Sequence, residues 1–197
     1  MNVSNQDHNR PSAQFLRVAA LKPGQLAALM LRGQMPDVRA LASTEYRGMN
    51  LGLGARLLGI RKFIKGFYCS TNGETFGYNV RARQNRPDEP WLAKRSGGAP
   101  KPFGFYLVVP TDPESHDNTY LNALLLDYGR GGNGRLDITS ALRDYLVRVH
   151  PGSDDLLLGK AYVALGPARV PVSFFLLEPL QRLPGPIALP HPEEPGV

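Results

Sequence analysis

The side chains able to do chemistry in this chain are few and scattered. The four histidines, His8, His116, His150 and His191, lie far apart and show no paired metal-ligand spacing. His150 precedes Pro151-Gly152, which reads as a solvated turn. The single cysteine, Cys69, excludes an internal disulfide framework and any zinc site built from thiolates. No nucleophile elbow, Walker-type phosphate loop or dinucleotide fingerprint occurs in the sequence. No metal and no other cofactor is expected.

Three segments remain. Asp127 and Tyr128 close the apolar run Leu124-Leu125-Leu126, with Asn122 just before it; Tyr78, Asn79 and Arg81 could face them from another segment. Asp127, Tyr128 and Tyr78 are the candidate acid–base residues, since carboxylate and phenol together can move protons. The plainer reading of the same group is a satisfied buried network. Next, residues 129–135 (GRGGNGR) expose backbone N–H groups between Arg130 and Arg135, a composition suited either to an anion or to a tight connection. A charge such as Asp127 is costly to bury unless paired. It is therefore expected to accept from an arginine, with Arg130 the nearest, or from backbone N–H groups. Finally, Arg56, Arg61, Lys62 and Lys65 are interleaved with Leu57, Leu58, Ile60, Phe63 and Ile64 and no acid. This pattern fits an anionic membrane surface, or an ordinary solvated basic face. Nucleic acid is disfavoured, because alternation does not place Phe67, Tyr68 and Tyr78 on one face.

The elements that must position these residues follow from punctuation and period. Residues 13–35 have helical spacing, interrupted at Pro23-Gly24 and stopped at Gly33. From residue 43 the pattern becomes strand-like: 43–50, 62–70, 75–83, 103–109, 120–128, 155–164 and 170–178. Asn72-Gly73 between two apolar runs is a strong hairpin signal. A helical turn is expected at 53–58, and a polar loop carrying Trp91 at 84–101. Asp137 reads as the cap of a helix over 137–146, with Ile138, Leu142, Tyr145 and Leu146 on one face. Without strand–helix alternation, a doubly wound parallel sheet is not expected.

The 197 residues favour a single domain spanning 13–182, between a disordered tail at 1–12 and a Pro-rich disordered tail at 183–197. Hydrophobic content of 42% suits a globular domain, and the net charge of +6 leaves anionic partners open. The polar N-terminus and the lack of a long apolar run make a cytoplasmic location the expectation. Oligomeric state is not legible.

Glu45-Tyr46-Arg47-Gly48, a short strand after a helical lead-in, resembles the entry to lipocalin-like (calycin) barrels, with Tyr46 where those proteins usually carry tryptophan. Residues 59–63 (GIRKF), 157–160 (LLGK) and 174–178 (FFLLE) are similar to a bacterial and fungal family of GXWXG-type proteins without a settled function. The resemblance implies a mainly β fold: an antiparallel barrel or strongly curved sheet, with an N-terminal helix and one inserted helix. Barrels of about eight strands can hold one small ligand. The leading expectation is thus a binder of a small hydrophobic molecule of the fatty acid, polyketide or terpenoid class. Its contacts would be Tyr46, Arg47, Phe63, Phe76, Tyr78, Phe103, Phe105, Asn122, Leu124, Asp127, Arg130 and Phe174. The alternatives are an isomerase, cyclase or hydrolase on the same scaffold, and a peripheral membrane or partner-binding module.

Overall fold

A computed structural model describes residues 9–52, 59–134 and 136–183. Arg56 and Arg135, the expected turn at 53–58, and the chain ends at 1–8 and 184–197 lie outside the described residues. Among the described residues, the chain enters through three short helices. In α1 (Ala13–Ala19), Ser12 Oγ accepts from the Phe15 N–H at 3.0 Å; α2 (Pro23–Arg32) begins on Pro23, whose missing N–H is no loss there. Phe15, Val18, Leu26 and Met30 form their buried faces. The single turn of α3 (Val38–Leu41) is capped by Asp37, which accepts from the Arg39 N–H at 2.9 Å.

Eight antiparallel strands then build one closed barrel. They are β1 (Thr44–Leu51), β2 (Lys62–Cys69), β3 (Thr75–Arg81), β6 (Pro102–Pro110), β7 (Leu124–Asp127), β8 (Leu142–His150), β9 (Ser153–Leu165) and β10 (Ala168–Arg182). The order β1-β10-β9-β8-β7-β6-β3-β2 is up-and-down, closed by the pairing of β1 with β10. This is compatible with a calycin-like fold. A two-residue pair, β4 (Arg95–Ser96) and β5 (Ala99–Pro100), forms a separate hairpin within the expected polar loop.

Residues 137–146 depart from the expected helix. Asp137 does cap, accepting from the Thr139 N–H at 2.9 Å, but only a 3-10 turn, Ile138–Ala141, follows. Leu142 then starts β8. From there, Leu142, Asp144 and Leu146 alternate with Arg143, Tyr145 and Val147, a two-residue period that the barrel satisfies on both faces.

The register sorts side chains into two cores. Tyr46, Phe63, Phe67, Tyr106, Val108, Leu124, Leu126, Leu146, Leu157, Phe175 and Leu177 fill the barrel interior. Met49, Ile64, Tyr78, Val80, Leu125, Tyr145, Leu158 and Leu176 point the other way, into an outer core. Helices α1 and α2, the segment carrying Trp91, and the 111–123 connection cover that outer core. Trp91 packs edge-on against Phe15 and donates its indole N–H to the Gly48 carbonyl at 3.1 Å.

The barrel ends differ. At the lower end, Leu41 of α3 is fully buried in the interior cluster and closes the base. Tyr46 lies in that cluster too, edge-on to Phe67 at 5.4 Å. The upper end carries the connecting residues 59–61, 82–101, 128–134, 136–141 and 166–167.

Candidate functional site

The middle of the barrel is polar. Lys65 on β2 and Asp144 on β8 lie four strands apart in either direction, yet Nζ and Oδ2 meet at 3.1 Å across the interior. Lys65 Nζ also donates to Asn79 Oδ1 at 3.1 Å and to the Tyr128 hydroxyl oxygen at 2.5 Å. The Tyr128 hydroxyl donates to Asp144 Oδ2 at 3.1 Å, and Asn79 Nδ2 donates to the Gly104 carbonyl at 2.9 Å. The rings of Tyr106 and Tyr128 stand 4.4 and 5.0 Å from the ammonium, within cation–π range. Burial pushes the Lys65 ammonium down from its ordinary range while Asp144 pulls it back; burial and Asp144 raise the Tyr128 phenol. Each of the three ammonium protons has an acceptor, so the set locks opposite walls together. It also closes the lumen at this level.

Small residues, Gly48, Gly104, Gly159, Ala161 and Ser173, share the inner wall around and above this layer with Phe63, Leu142 and Val163. The rings of Phe63 and Phe175 lie over Gly48 and Gly159. Phe63, Asn79, Ala161 and Ser173 are 6–9% exposed, so solvent reaches this end of the interior, the upper mouth of the barrel. Thr139 overhangs it from the 3-10 turn, with its hydroxyl 3.5 Å from the place a Gly104 Cβ would take.

The structure separates the expected acid–base trio. Only Tyr128 points inside. Asp127 projects outward, accepting from the Gly129 N–H at 2.9 Å and pairing with Arg143 at 3.2 Å. Its arginine partner is thus Arg143 rather than Arg130, which is exposed. Tyr78 also faces outward; its ring covers Gly66 and its hydroxyl donates to Glu45 at 2.9 Å. Burial and Glu45 raise that phenol.

Of the expected ligand contacts, Tyr46, Phe63 and Leu124 line the interior. Phe76, Phe105 and Phe174 belong to the outer core, while Phe103 sits at the upper rim, 5.6 Å beneath the Arg81 guanidinium. Arg47, on the outer face, pairs with Glu178 at 3.4 Å and donates to the Arg10 carbonyl. Asn122 is a helix cap: its Nδ2 donates to the carbonyls of Met30 at 3.1 Å and Gly33 at 2.7 Å, at the end of α2.

The glycine run is a tight connection. A Cβ on Gly131 would stand 1.9 Å from the Phe105 carbonyl oxygen. Asn133 then pairs with Phe105 as a strand would, accepting from its N–H at 2.8 Å and donating to its carbonyl at 2.7 Å.

Two of the four bases expected at a membrane are buried, one inside the barrel and one beneath the 85–91 segment. Besides Lys65, the Lys62 side chain is fully buried, with Nζ 3.7 Å from the Trp91 ring centroid. It donates to Asn85 Oδ1 at 2.5 Å and to the Arg86 and Glu89 carbonyls at 3.1 and 2.9 Å, pinning the 85–91 segment. Burial lowers this ammonium to about 8, partly offset by Glu89 and Asp88. Arg61 is exposed.

Lys65 and Asp144 were not singled out from the sequence as a pair. Their signal is periodic: each is the polar centre of an alternating apolar triplet, Phe63-Lys65-Phe67 and Leu142-Asp144-Leu146, with opposite charge. Among the described residues no group of three or more His, Cys, Asp or Glu side chains could hold a metal ion, and no helix is long and apolar enough to cross a membrane. In comparisons with family models, curated proteins and solved structures, nothing matches this chain.

Proposed function

We propose that this barrel binds a small amphiphile, a fatty-acid-like molecule with an apolar chain and an anionic head, at the upper mouth rather than deep in the lumen. One observation carries the reading: interior side chains at the upper end, Phe63, Asn79, Ala161 and Ser173, keep some solvent exposure, whereas those below the Lys65–Asp144 layer are closed off. A filled lower half supplies rigidity. Ala161 and Ser173, beneath a partly apolar rim, offer the place for a short length of chain. Exposed arginines and lysines at the same end suit a carboxylate or phosphate head. This is binding rather than catalysis, since the interior carboxylate and ammonium are committed to each other. A cytoplasmic location and kinship with the GXWXG-type proteins are parts of the same proposal.

The test is calorimetric titration of the full chain with monomeric laurate below its micelle concentration, beside extraction of the purified protein with organic solvent and mass spectrometry. One laurate per chain is expected, with binding abolished in Ala161→Leu and Ser173→Phe, whose larger side chains fill the mouth. Absence of binding, or equal binding by both filled variants, overturns the reading.

A further inference from the structure

The upper end carries an unusual surface. Leu136 is 97% exposed, Ile138 89%, Leu165 60% and Val170 45%. Isolated exposed leucines need no explanation, but a contiguous apolar patch does. Ile138, Leu165 and Val170 lie on adjoining elements, and Leu136 directly precedes the 3-10 turn. The 3-10 turn Ile138–Ala141 packs against β9. Leu165 pairs with Ala168 at the β9–β10 turn, and Val170 pairs with Val163, which pairs in turn with Leu142. Ile60 adds a fifth exposed apolar side chain from the β1–β2 connection at the same end.

Bases outnumber acids at the same end, where the described connections also hold Asp88, Glu89 and Asp137. The upper connections and their strand ends expose Arg61, Lys94, Arg95, Lys101 and Arg130. Lys94 is anchored at the rim by its N–H, which donates to the Arg81 carbonyl at 2.7 Å. Arg95 sits on the small β4–β5 hairpin, and Lys101 follows that hairpin. The lower connections at 70–74 and 111–123 hold Glu74, Asp112 and Glu114, while Asp117 reaches up to pair with Arg143 and Arg169, and the exposed Arg39 and Arg182 also stand at the lower end.

We infer that the upper rim docks onto an anionic bilayer, with Leu136, Ile138, Leu165 and Val170 entering the interfacial region and the surrounding bases resting on acidic headgroups. Apolar side chains encircled by bases are what such a surface selects, through apolar burial and attraction to anionic lipid together. A protein partner with an acidic rim offers complementary charge but no matching need for prominent apolar tips on a mobile-chain solvent. The docking builds on the amphiphile reading above, because the bilayer is then the source of the amphiphile and the mouth faces it directly. It differs from the membrane surface expected at residues 56–65, where Lys62 and Lys65 are buried.

Flotation of the full chain with vesicles of phosphatidylglycerol and phosphatidylcholine, and with phosphatidylcholine alone, tests this at low and at high salt. Flotation is expected with the anionic vesicles at low salt and should weaken as salt rises. The double variant Leu136→Ser/Ile138→Ser, exposed enough to leave folding intact, should lose at least tenfold in partitioning. Arg95→Glu and Lys101→Glu should each lose roughly fivefold or more, as expected for removing a base near an anionic surface. Ala161→Leu separates the two ideas: it should abolish laurate binding and leave flotation unchanged. If the wild-type chain does not float with anionic vesicles, or the Ser variant floats as well as wild type, the docking inference is wrong whatever laurate does. Capture of an acidic protein in place of vesicles would equally overturn it.

Discussion

Removing Asp144 should strand a cation in the middle of the barrel. Lys65 is fully buried, and among the described residues its one acidic contact is Asp144 at 3.1 Å. In Asp144→Leu the ammonium keeps Asn79 and Tyr128 as acceptors but loses its countercharge. Breaking a buried pair on one side costs about 3–5 kcal/mol. The chain can escape by releasing the proton. Deprotonating a lysine at pH 7, against an unfolded value of about 10.4, costs roughly 4.6 kcal/mol at 1.36 kcal/mol per unit, so the two routes give similar answers. A domain with about 5–15 kcal/mol of stability survives this and can be measured. Urea unfolding followed by circular dichroism should show a midpoint shift of that size at pH 7. The sign with pH follows from linkage. In the variant, folded Lys65 is held neutral and unfolded Lys65 is charged, so the unfolded state binds more protons and stability should rise from pH 7 toward pH 10. Lys65→Met/Asp144→Leu should recover most of the loss, since an apolar pair of similar volume can replace an ion pair. A loss below about 1 kcal/mol in Asp144→Leu, or a double variant no more stable than the single one, would refute the view that the pair crosses a dry interior.

Further outcomes are expected elsewhere. Burial raises the Asp117 carboxyl, but hydrogen bonds from Arg169 and Arg143 outweigh it and hold the group below the ordinary range. Its contribution is therefore present above the unfolded value of about 3.9 and lost as pH falls through the lower folded value; Asp117→Asn should flatten that part of an acid unfolding curve. Asn122→Ala should cost about 1–2 kcal/mol by leaving carbonyls at the end of α2 unpaired, read as a lower Tm. Gly131→Ala should cost about 1–3 kcal/mol, because its Cβ would collide with the Phe105 carbonyl and disturb the Asn133 pairing; an unchanged Tm would contradict that assignment.

Much of the barrel was legible because its strands keep a two-residue period between strong turn signals. Asn72-Gly73 marks one hairpin, and Gly73 does adopt a φ of +86°. The 137–146 segment was misleading because its apolar residues fit both periods. Ile138, Leu142, Tyr145 and Leu146 share a helical face, but Leu142 and Leu146 also alternate with Tyr145 on a strand, and tertiary pairing with β7 and β9 decides. The ligand set was less legible, because a strand in a covered barrel is apolar on both faces. Phe174 and Phe175 look alike in sequence, yet one packs outward under Lys160 and the other inward over Gly159. The central ion pair was hidden for a similar reason: Lys65 follows Arg61 and Lys62 in a run that reads as a basic surface, and only the strand register turns it inward.

Amide hydrogen exchange on the full chain, with and without monomeric laurate, tests most directly whether the upper mouth is the binding end. Protection should appear in the overhanging turn at 136–141, in the β9–β10 segment at 159–173 and at the start of β6, with the lower connections at 70–74 and 111–123 unchanged. Protection confined to the lower end, or no change anywhere at saturating laurate, would contradict the account.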